Sequence, residues 1–297
     1  MPSGAEQYLK PDVLAKVARF DLKAKFLIEG FFSGLHRSPF KGFSAEFSDH
    51  RKYVPGDDIK DLDWKVYART NKYYVKQFEA ETNMECYLVV DASASMGYGT
   101  TGLTKLEYAT YLAGALAFLV ISQQDSVGLI TFDDAIRALV EPRSKRKHII
   151  RILKLLNDTQ AGRQSKVSDL LHQAAGGIDH RGLVVVLSDL LDEPDDVVEA
   201  LGHLRFDGHD VIVFQILDAA EAHFPFAETR RFEDVESGEK ITADAGSIKA
   251  GYLRALGEFI ETYRSELYKR RIDFFAMDTS MSFDRALMAY LMKRSGR

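Results

Sequence analysis

The polar residues best suited to chemistry stand where an apolar run of the sequence ends. Residues 87–90 are apolar and Asp91 follows them, with Ser93 and Ser95 at alternate positions and alanines between. Alternate spacing in an extended segment puts the three side chains on one side of the chain. One carboxylate and two hydroxyls suit Mg²⁺, Mn²⁺ or Ca²⁺ rather than zinc. The same pattern also fits an Asp/Ser-rich helix cap, so the spacing alone leaves both interpretations open.

From about residue 84 onward, short β-branched runs alternate with helical ones. The runs predict strands over 86–91, 127–132, 183–188, 211–217 and 272–277. Helices are predicted over about 104–122, 144–157, 168–178, 194–206, 247–270 and 283–294. Residues 136–140 predict an extra edge strand, and residues 228–244 predict an inserted β-hairpin. This alternation indicates an α/β fold with a doubly wound, mostly parallel, Rossmann-like sheet.

Two further loops should face the same edge of that sheet, because ligands of open α/β sheets bind at the carboxyl ends of the strands. Asp189 follows the strand at 183–188, and Ser168 begins a predicted helix. Ser165 and Thr159 lie in the same region as Ser168 and leave the choice of hydroxyl open. The predicted metal ligands are Asp91, Ser93, Ser95, Ser168 and Asp189, with Mg²⁺ as the first choice of ion.

This five-residue pattern resembles the metal-ion-dependent adhesion site (MIDAS) of von Willebrand factor A domains. The matching positions are Asp91, Ser93 and Ser95 for D-x-S-x-S, then Ser168 and Asp189. The third element of that family is usually threonine, whereas this sequence has serine. The resemblance implies a cation held partly through water, with one position open to a carboxylate from a partner protein.

The first part of the chain has a different character. Residues 12–30 have helical spacing of apolar residues, and the segment RKYVPGDDIKDLDWKVYARTNKYYVKQFEAE spans 51–81. This segment resembles the signature of the DUF58 family, as R-x-Y-x-x-G-D-D, D-W-x-x-x-A-R and V-K-x-F-x-x-E. The matching positions are Arg51, Tyr53, Gly56, Asp57, Asp58, Asp63, Trp64, Ala68, Arg69, Val75, Lys76, Phe78 and Glu81. The resemblance implies a partnership with a MoxR-type AAA+ ATPase in the assembly or activation of other proteins.

These segments predict two parts, a smaller mixed N-terminal block at 1–83 and a von Willebrand factor A-like domain at 84–297. The chain has 297 residues, of which 46% are hydrophobic and 28% charged, with a formal net charge of −5. That charge argues against nucleic acid or an anionic membrane as the partner. The longest apolar run is too short to span a bilayer, and no signal peptide is recognisable. With a single cysteine, Cys86, we expect a cytoplasmic protein.

Catalysis finds little support in the sequence. There is no G-x-S-x-G elbow, P-loop or G-x-G-x-x-G motif, and no base is evident beside Ser93 or Ser95. We therefore expect a metal-dependent protein-interaction module and not an enzyme. Two alternatives remain: a metal-dependent hydrolase of the phosphoesterase type, and a scaffold whose metal site is empty.

Overall fold

The structure is a computed structural model that describes residues 44–53, 62, 64–81, 84–100, 102–122, 124–163, 166–234, 238–281 and 283. Contacts divide the chain into two units, and the smaller one covers residues 35–83. In its described part, strand β1 (Ser44–Lys52) pairs antiparallel with β2 (Tyr74–Glu81), and helix α1 (Trp64–Thr70) lies between them in sequence. The strand predicted over 73–81 is therefore present as β2.

Aromatic rings line up within this smaller unit. Tyr67 and Tyr73 stack with centroids 4.6 Å apart, and Trp64 meets Tyr67 edge-on at 6.1 Å. Trp64 remains 56% exposed. The helix predicted over 12–30 and the signature positions Gly56, Asp57, Asp58 and Asp63 lie outside the described residues.

The larger unit, from Met84 onward, is built on a six-stranded sheet with helices in the connections. Its strands are β3 (Glu85–Asp91), β4 (Ser126–Phe132), β5 (Ile136–Arg143), β6 (Leu183–Ser188), β7 (Asp210–Leu217) and β10 (Asp273–Asp278). Its helices are α2 (Lys105–Ser122), α3 (Arg146–Asp158), α4 (Val167–Ala175), α5 (Pro194–Phe206), α6 (Ala219–His223) and α7 (Ala245–Lys269). The inserted hairpin consists of β8 (Thr229–Glu233) and β9 (Lys240–Asp244), which pair antiparallel.

The strand order is β10-β7-β6-β3-β4-β5, and every pairing is parallel except that of the edge strand β5 with β4. The predicted α/β class with a doubly wound, mostly parallel sheet is thereby confirmed. The strand order changes direction at β3, because β4 lies on one side of it and β6 on the other. Both neighbours begin 35 or more residues after β3 ends. This switch point is where an open α/β sheet forms a crevice for ligands.

Burial on both faces explains why the sheet strands are so apolar. All six residues of β6 are buried, as are all residues of β3 after Glu85. One face packs against α4, α5 and α7 through a core that includes Val89, Val186 and Val213. The strands are thereby held rigidly up to their carboxyl ends, where the polar residues begin.

One predicted helix was too long. The sequence predicted a helix over 168–178, whereas α4 ends at Ala175. Two glycines, Gly176 and Gly177, follow it, and their N–H groups bond to carbonyls of His172 and Ala174 in a terminal turn. Glycine favours helix ends because it loses more backbone conformational entropy than other residues when it becomes helical. The helix predicted over 283–294 lies almost entirely outside the described residues.

Within the described ranges, we find no helix that combines the length and the apolarity needed to cross a membrane.

Asp125 gives the larger unit a pH-dependent stability. Its buried carboxylate accepts the Met84 N–H at 3.1 Å, but burial raises its pKa to about 7. Because the folded state holds a proton that the unfolded state has already lost, this group makes stability fall as pH rises from about 4 to about 7. Asp125→Asn keeps the acceptor oxygen but cannot titrate. We expect its free energy of unfolding, measured with urea, to fall by about 2 kcal/mol less between pH 5 and pH 8 than that of the wild type. The exposed Asp158→Asn is the control; an equal slope in both variants would contradict the assignment.

Candidate functional site

The loop after β3 brings the first three predicted ligands together. Asp91 is fully buried, and its Oδ1 accepts the backbone N–H of Ser93 at 2.8 Å. This short-range bond turns the chain sharply into a 3-10 turn, Ser95–Gly97. The Ser93 and Ser95 hydroxyl oxygens are 3.1 Å apart and hydrogen-bonded, and both residues are buried. The D-x-S-x-S segment is therefore a compact set of buried oxygens and not a helix cap.

A second contact to Asp91 comes from the neighbouring strand. Ser188, the last residue of β6, donates its hydroxyl proton to Asp91 Oδ2 at 2.6 Å and accepts the Leu190 N–H at 3.0 Å. Gln215 of β7 pairs with Ser188 in register, and its Nε2 donates to the Asp189 carbonyl at 3.1 Å. The Gln215 Oε1 is buried and has no hydrogen-bond partner among the described residues.

Asp189 is held by a buried lysine. The Lys105 ammonium lies 2.9 Å from Asp189 Oδ2 and 2.9 Å from Glu221 Oε1, and the lysine side chain is 0% exposed. The other carboxylate oxygen, Asp189 Oδ1, accepts the Leu191 N–H at 3.3 Å. Lys105 comes from the first turn of α2 and Glu221 from α6, so three elements meet at this ion cluster.

The chain between α3 and α4 lies against the D-x-S-x-S loop. The Gly162 N–H donates to the Ala92 carbonyl at 2.7 Å, and the Ala94 N–H donates to the Arg163 carbonyl at 3.2 Å. A Cβ at Gly162 would lie 1.9 Å from an Asp133 carboxylate oxygen, so a larger residue here would displace the Asp133 side chain. The third predicted loop thus does approach the first.

The hydroxyl expected from this third loop has another partner. Ser168 is buried in the first turn of α4, and its hydroxyl and N–H both donate to Asp192 Oδ2 at 3.3 Å. Thr159 donates to the Leu155 carbonyl at 2.7 Å at the end of α3. Ser165 lies outside the described residues. Ser168 is therefore close to the β6 loop but not bonded to the D-x-S-x-S segment.

Burial and charge strongly affect the ionisable groups here. Burial, with the nearby Asp189 charge, raises the pKa of Asp91 to about 7, although the Ser188 and Ser93 hydrogen bonds oppose this. Burial would lower the pKa of Lys105, but Asp189 and Glu221 outweigh it and the pKa is raised. Burial raises the pKa of Glu221, with Lys105 opposing. Two buried carboxylates that repel each other are stabilised either by a positive charge nearby or by protonation of one of them.

A hard divalent cation fits the donors of the β3 loop. Adjacent ligands around octahedral Mg²⁺ at ~2.1 Å are ~3.0 Å apart, and the Ser93 and Ser95 oxygens are separated by 3.1 Å. Asp91 retains free lone pairs on both carboxylate oxygens. No group of three or more His, Cys, Asp or Glu residues in the described part is arranged to hold a metal.

Several site residues were not recognised in the sequence. These are Lys105, Ser188, Asp192, Gln215 and Glu221. Ser188 had a recognisable signal, since it is the β6 residue beside Asp189 and lies on the same sheet face as Asp91. Lys105 had a weaker one, because a cation in the first turn of a helix opposes the helix dipole. The others become partners only through the fold.

Comparison with protein families identifies the chain. The model described as "Protein of unknown function DUF58" matches residues 49–257. The chain belongs to the DUF58 family. The uncharacterized protein Rv1480 of Mycobacterium tuberculosis is 29% identical to this DUF58 protein over 231 residues, 77% of this chain and 72% of that protein. The uncharacterized protein Mb1516 of Mycobacterium bovis matches with the same values.

Solved structures similar to this DUF58 protein have low sequence identity. BatB, a conserved hypothetical protein from Bacteroides thetaiotaomicron, is 17% identical with a TM-score of 0.48, over 72% of this chain and 98% of BatB. The VWA domain of SpRpn10 is 13% identical with a TM-score of 0.42, over 70% of this chain and 95% of that domain.

The Ser188–Asp91 contact in this DUF58 protein gives a testable stability effect. Ser188→Ala removes the hydroxyl that stabilises the charged Asp91, so the Asp91 pKa rises further. We expect a loss of about 1–3 kcal/mol in the free energy of unfolding at pH 8. At pH 5 the loss should be smaller, because Asp91 is then protonated in both proteins. Urea unfolding of Ser188→Ala and of the exposed Ser144→Ala measures this, and an equal loss at both pH values would refute it.

Proposed function

We propose that this DUF58 protein is a metal-dependent protein–protein interaction module. The observation that carries the proposal is the grouping of Asp91 with the Ser93 and Ser95 hydroxyls, all buried, beside a second buried carboxylate. In this proposal Asp91, Ser93 and Ser95 hold Mg²⁺ or a similar ion, and Asp189 and Ser168 complete its surroundings. A partner protein supplies a further carboxylate at an open position of the ion.

The partner chemistry follows from the charge of such a site. A divalent ion with one direct carboxylate keeps a net positive charge, which attracts an acidic side chain. Among the described residues, Lys105 is the one cationic side chain in contact with the predicted ligands, and its ammonium is already engaged by two carboxylates. The ion is therefore the main attraction for an incoming acid.

We infer the partner, a MoxR-type AAA+ ATPase or a client of one, from the resemblance of residues 51–81 to the DUF58 signature. We propose that the module works in the assembly or activation of other proteins and performs no catalysis itself. A cytoplasmic location is part of the same proposal, and the lone Cys86 is buried and unpaired, as is usual for thiols in a reducing compartment.

Ion binding should depend on pH because of Asp91. With a pKa of about 7, Asp91 must lose a proton before it binds the ion at lower pH. We expect Mg²⁺ affinity to rise from pH 6 to pH 8, and calorimetry in two buffers of different ionisation enthalpy should detect proton release at pH 6. Asp91→Ala should abolish the binding. Affinity that is flat across this range, or unchanged in Asp91→Ala, would exclude Asp91 as a ligand.

Partner binding provides the functional test. A MoxR-type ATPase from the same genome is immobilised, and wild type and Asp91→Ala are passed over it with Mg²⁺ or with EDTA. We expect binding only for the wild type with Mg²⁺, because only this combination offers an ion to the partner carboxylate. Asp158→Ala, an exposed acid on α3, is the matched control.

Two results would reject the proposal, one from that binding experiment and one from a separate activity screen. Binding that survives both EDTA and Asp91→Ala would leave the ion without a role in capture. Mg²⁺-dependent turnover in a screen of phosphoesters, lost in Asp91→Ala, would favour the hydrolase instead.

A further inference from the structure

Lys105 is a buried cation inside the candidate site. Fully buried lysines are rare unless they are paired, and the Lys105 side chain is 0% exposed. Its ammonium donates to Asp189 and to Glu221, both at 2.9 Å. One of these partners is a predicted metal ligand, so the lysine and a bound ion would act on the same carboxylate.

The position of the ammonium is also fixed through Glu221, its second partner. Glu221 Oε2 accepts the Asp218 N–H at 2.7 Å, in a capping box that begins α6. The Asp218 carboxylate in turn accepts the N–H of Thr100 at 2.9 Å and the hydroxyl of Thr279 at 3.1 Å. Glu221 is therefore held in place, and Lys105 is held between a fixed acid and Asp189.

We propose that Lys105 is a built-in counter-charge that weakens the hold of this site on a divalent ion and thereby keeps the ion receptive to a partner carboxylate. The proposal rests on the metal-dependent function given above. Without the ammonium, Asp189 and Glu221 would add two uncompensated negative charges near the ion. Such a site would bind the ion more tightly but would neutralise it, leaving less attraction for the partner's carboxylate.

This role predicts opposite effects for the two partners of one ion pair. Lys105→Met should raise Mg²⁺ affinity by about tenfold or more and weaken the binding of acetate, the carboxylate probe, to the Mg²⁺-loaded protein. Glu221→Gln should lower Mg²⁺ affinity, because Lys105 then acts on Asp189 alone. A purely structural role for the pair predicts that both variants lose Mg²⁺ binding together.

The experiment is Mg²⁺ calorimetry, followed by acetate titration of the Mg²⁺-loaded protein, on wild type, Lys105→Met and Glu221→Gln. Lys269→Met is the control, because it removes one exposed lysine from an ion pair with Glu266 on α7. Near-ultraviolet circular dichroism checks folding. If Lys105→Met does not fold, Lys105→Gln, which removes the charge but keeps a hydrogen-bond donor, replaces it and should likewise raise Mg²⁺ affinity, whereas a purely structural role predicts a loss.

The outcomes separate this inference from the proposed function. Opposite shifts in the two variants, with an unchanged control, support the counter-charge. Shifts in the same direction, or none, in proteins whose wild type binds Mg²⁺ overturn the counter-charge and leave the metal site standing. A folded wild type that takes up no Mg²⁺, with or without acetate, overturns both.

Discussion

The burial of two carboxylates at one edge of the sheet is the constraint around which the larger unit is organised. Asp91 and Asp189 end neighbouring strands and are almost fully buried, where an uncompensated charge is very unfavourable. Each receives a different compensation. Asp91 accepts two hydrogen bonds, from Ser93 and Ser188, whereas Asp189 faces the Lys105 ammonium. The hydrogen bonds leave the Asp91 charge unneutralised, and this makes it the group that gains most from a cation.

The same constraint ties distant segments of the chain to the site. Lys105 reaches it from the start of α2, and Glu221 extends the cluster to α6. Asp218 then links α6 to Thr100, which follows the D-x-S-x-S loop, and to Thr279 after β10. The carboxyl ends of β3, β6, β7 and β10 are thus joined by polar contacts, while apolar packing holds the rest of each strand. A buried polar network of this kind fixes geometry only when its members are satisfied, and Gln215 Oε1 is the exception.

Local sequence patterns were sufficient to predict the fold and the first loop of the site. They were not sufficient to predict the ion pairs that balance its charges. Strands such as β6 are buried on both faces, so their composition alone reveals them. Asp91, Ser93 and Ser95 interact over two residues, a range that sequence spacing describes well. Lys105 meets Asp189 across 84 residues and Glu221 across 116, and its neighbours in sequence give no sign of burial. Ser168 is a different case: its role as a metal ligand stays a prediction, but its hydrogen-bond partner Asp192, three residues beyond Asp189, was not foreseen.

The contacts of Ser168 indicate how the third loop could contact an ion in the proposed site while the other hydrogen bonds of the site stay in place. Its two bonds to Asp192 are 3.3 Å long, well beyond the 2.6 Å of the Ser188–Asp91 bond. A hydroxyl bond of that length is weak for one that donates to a carboxylate, so it would be exchanged for a cation contact more easily than the Ser188–Asp91 bond. The D-x-S-x-S loop and the end of β6 are by contrast tightly bonded. In the proposed metal site, the first loop and β6 would therefore define where an ion sits, and the third loop would adapt to it.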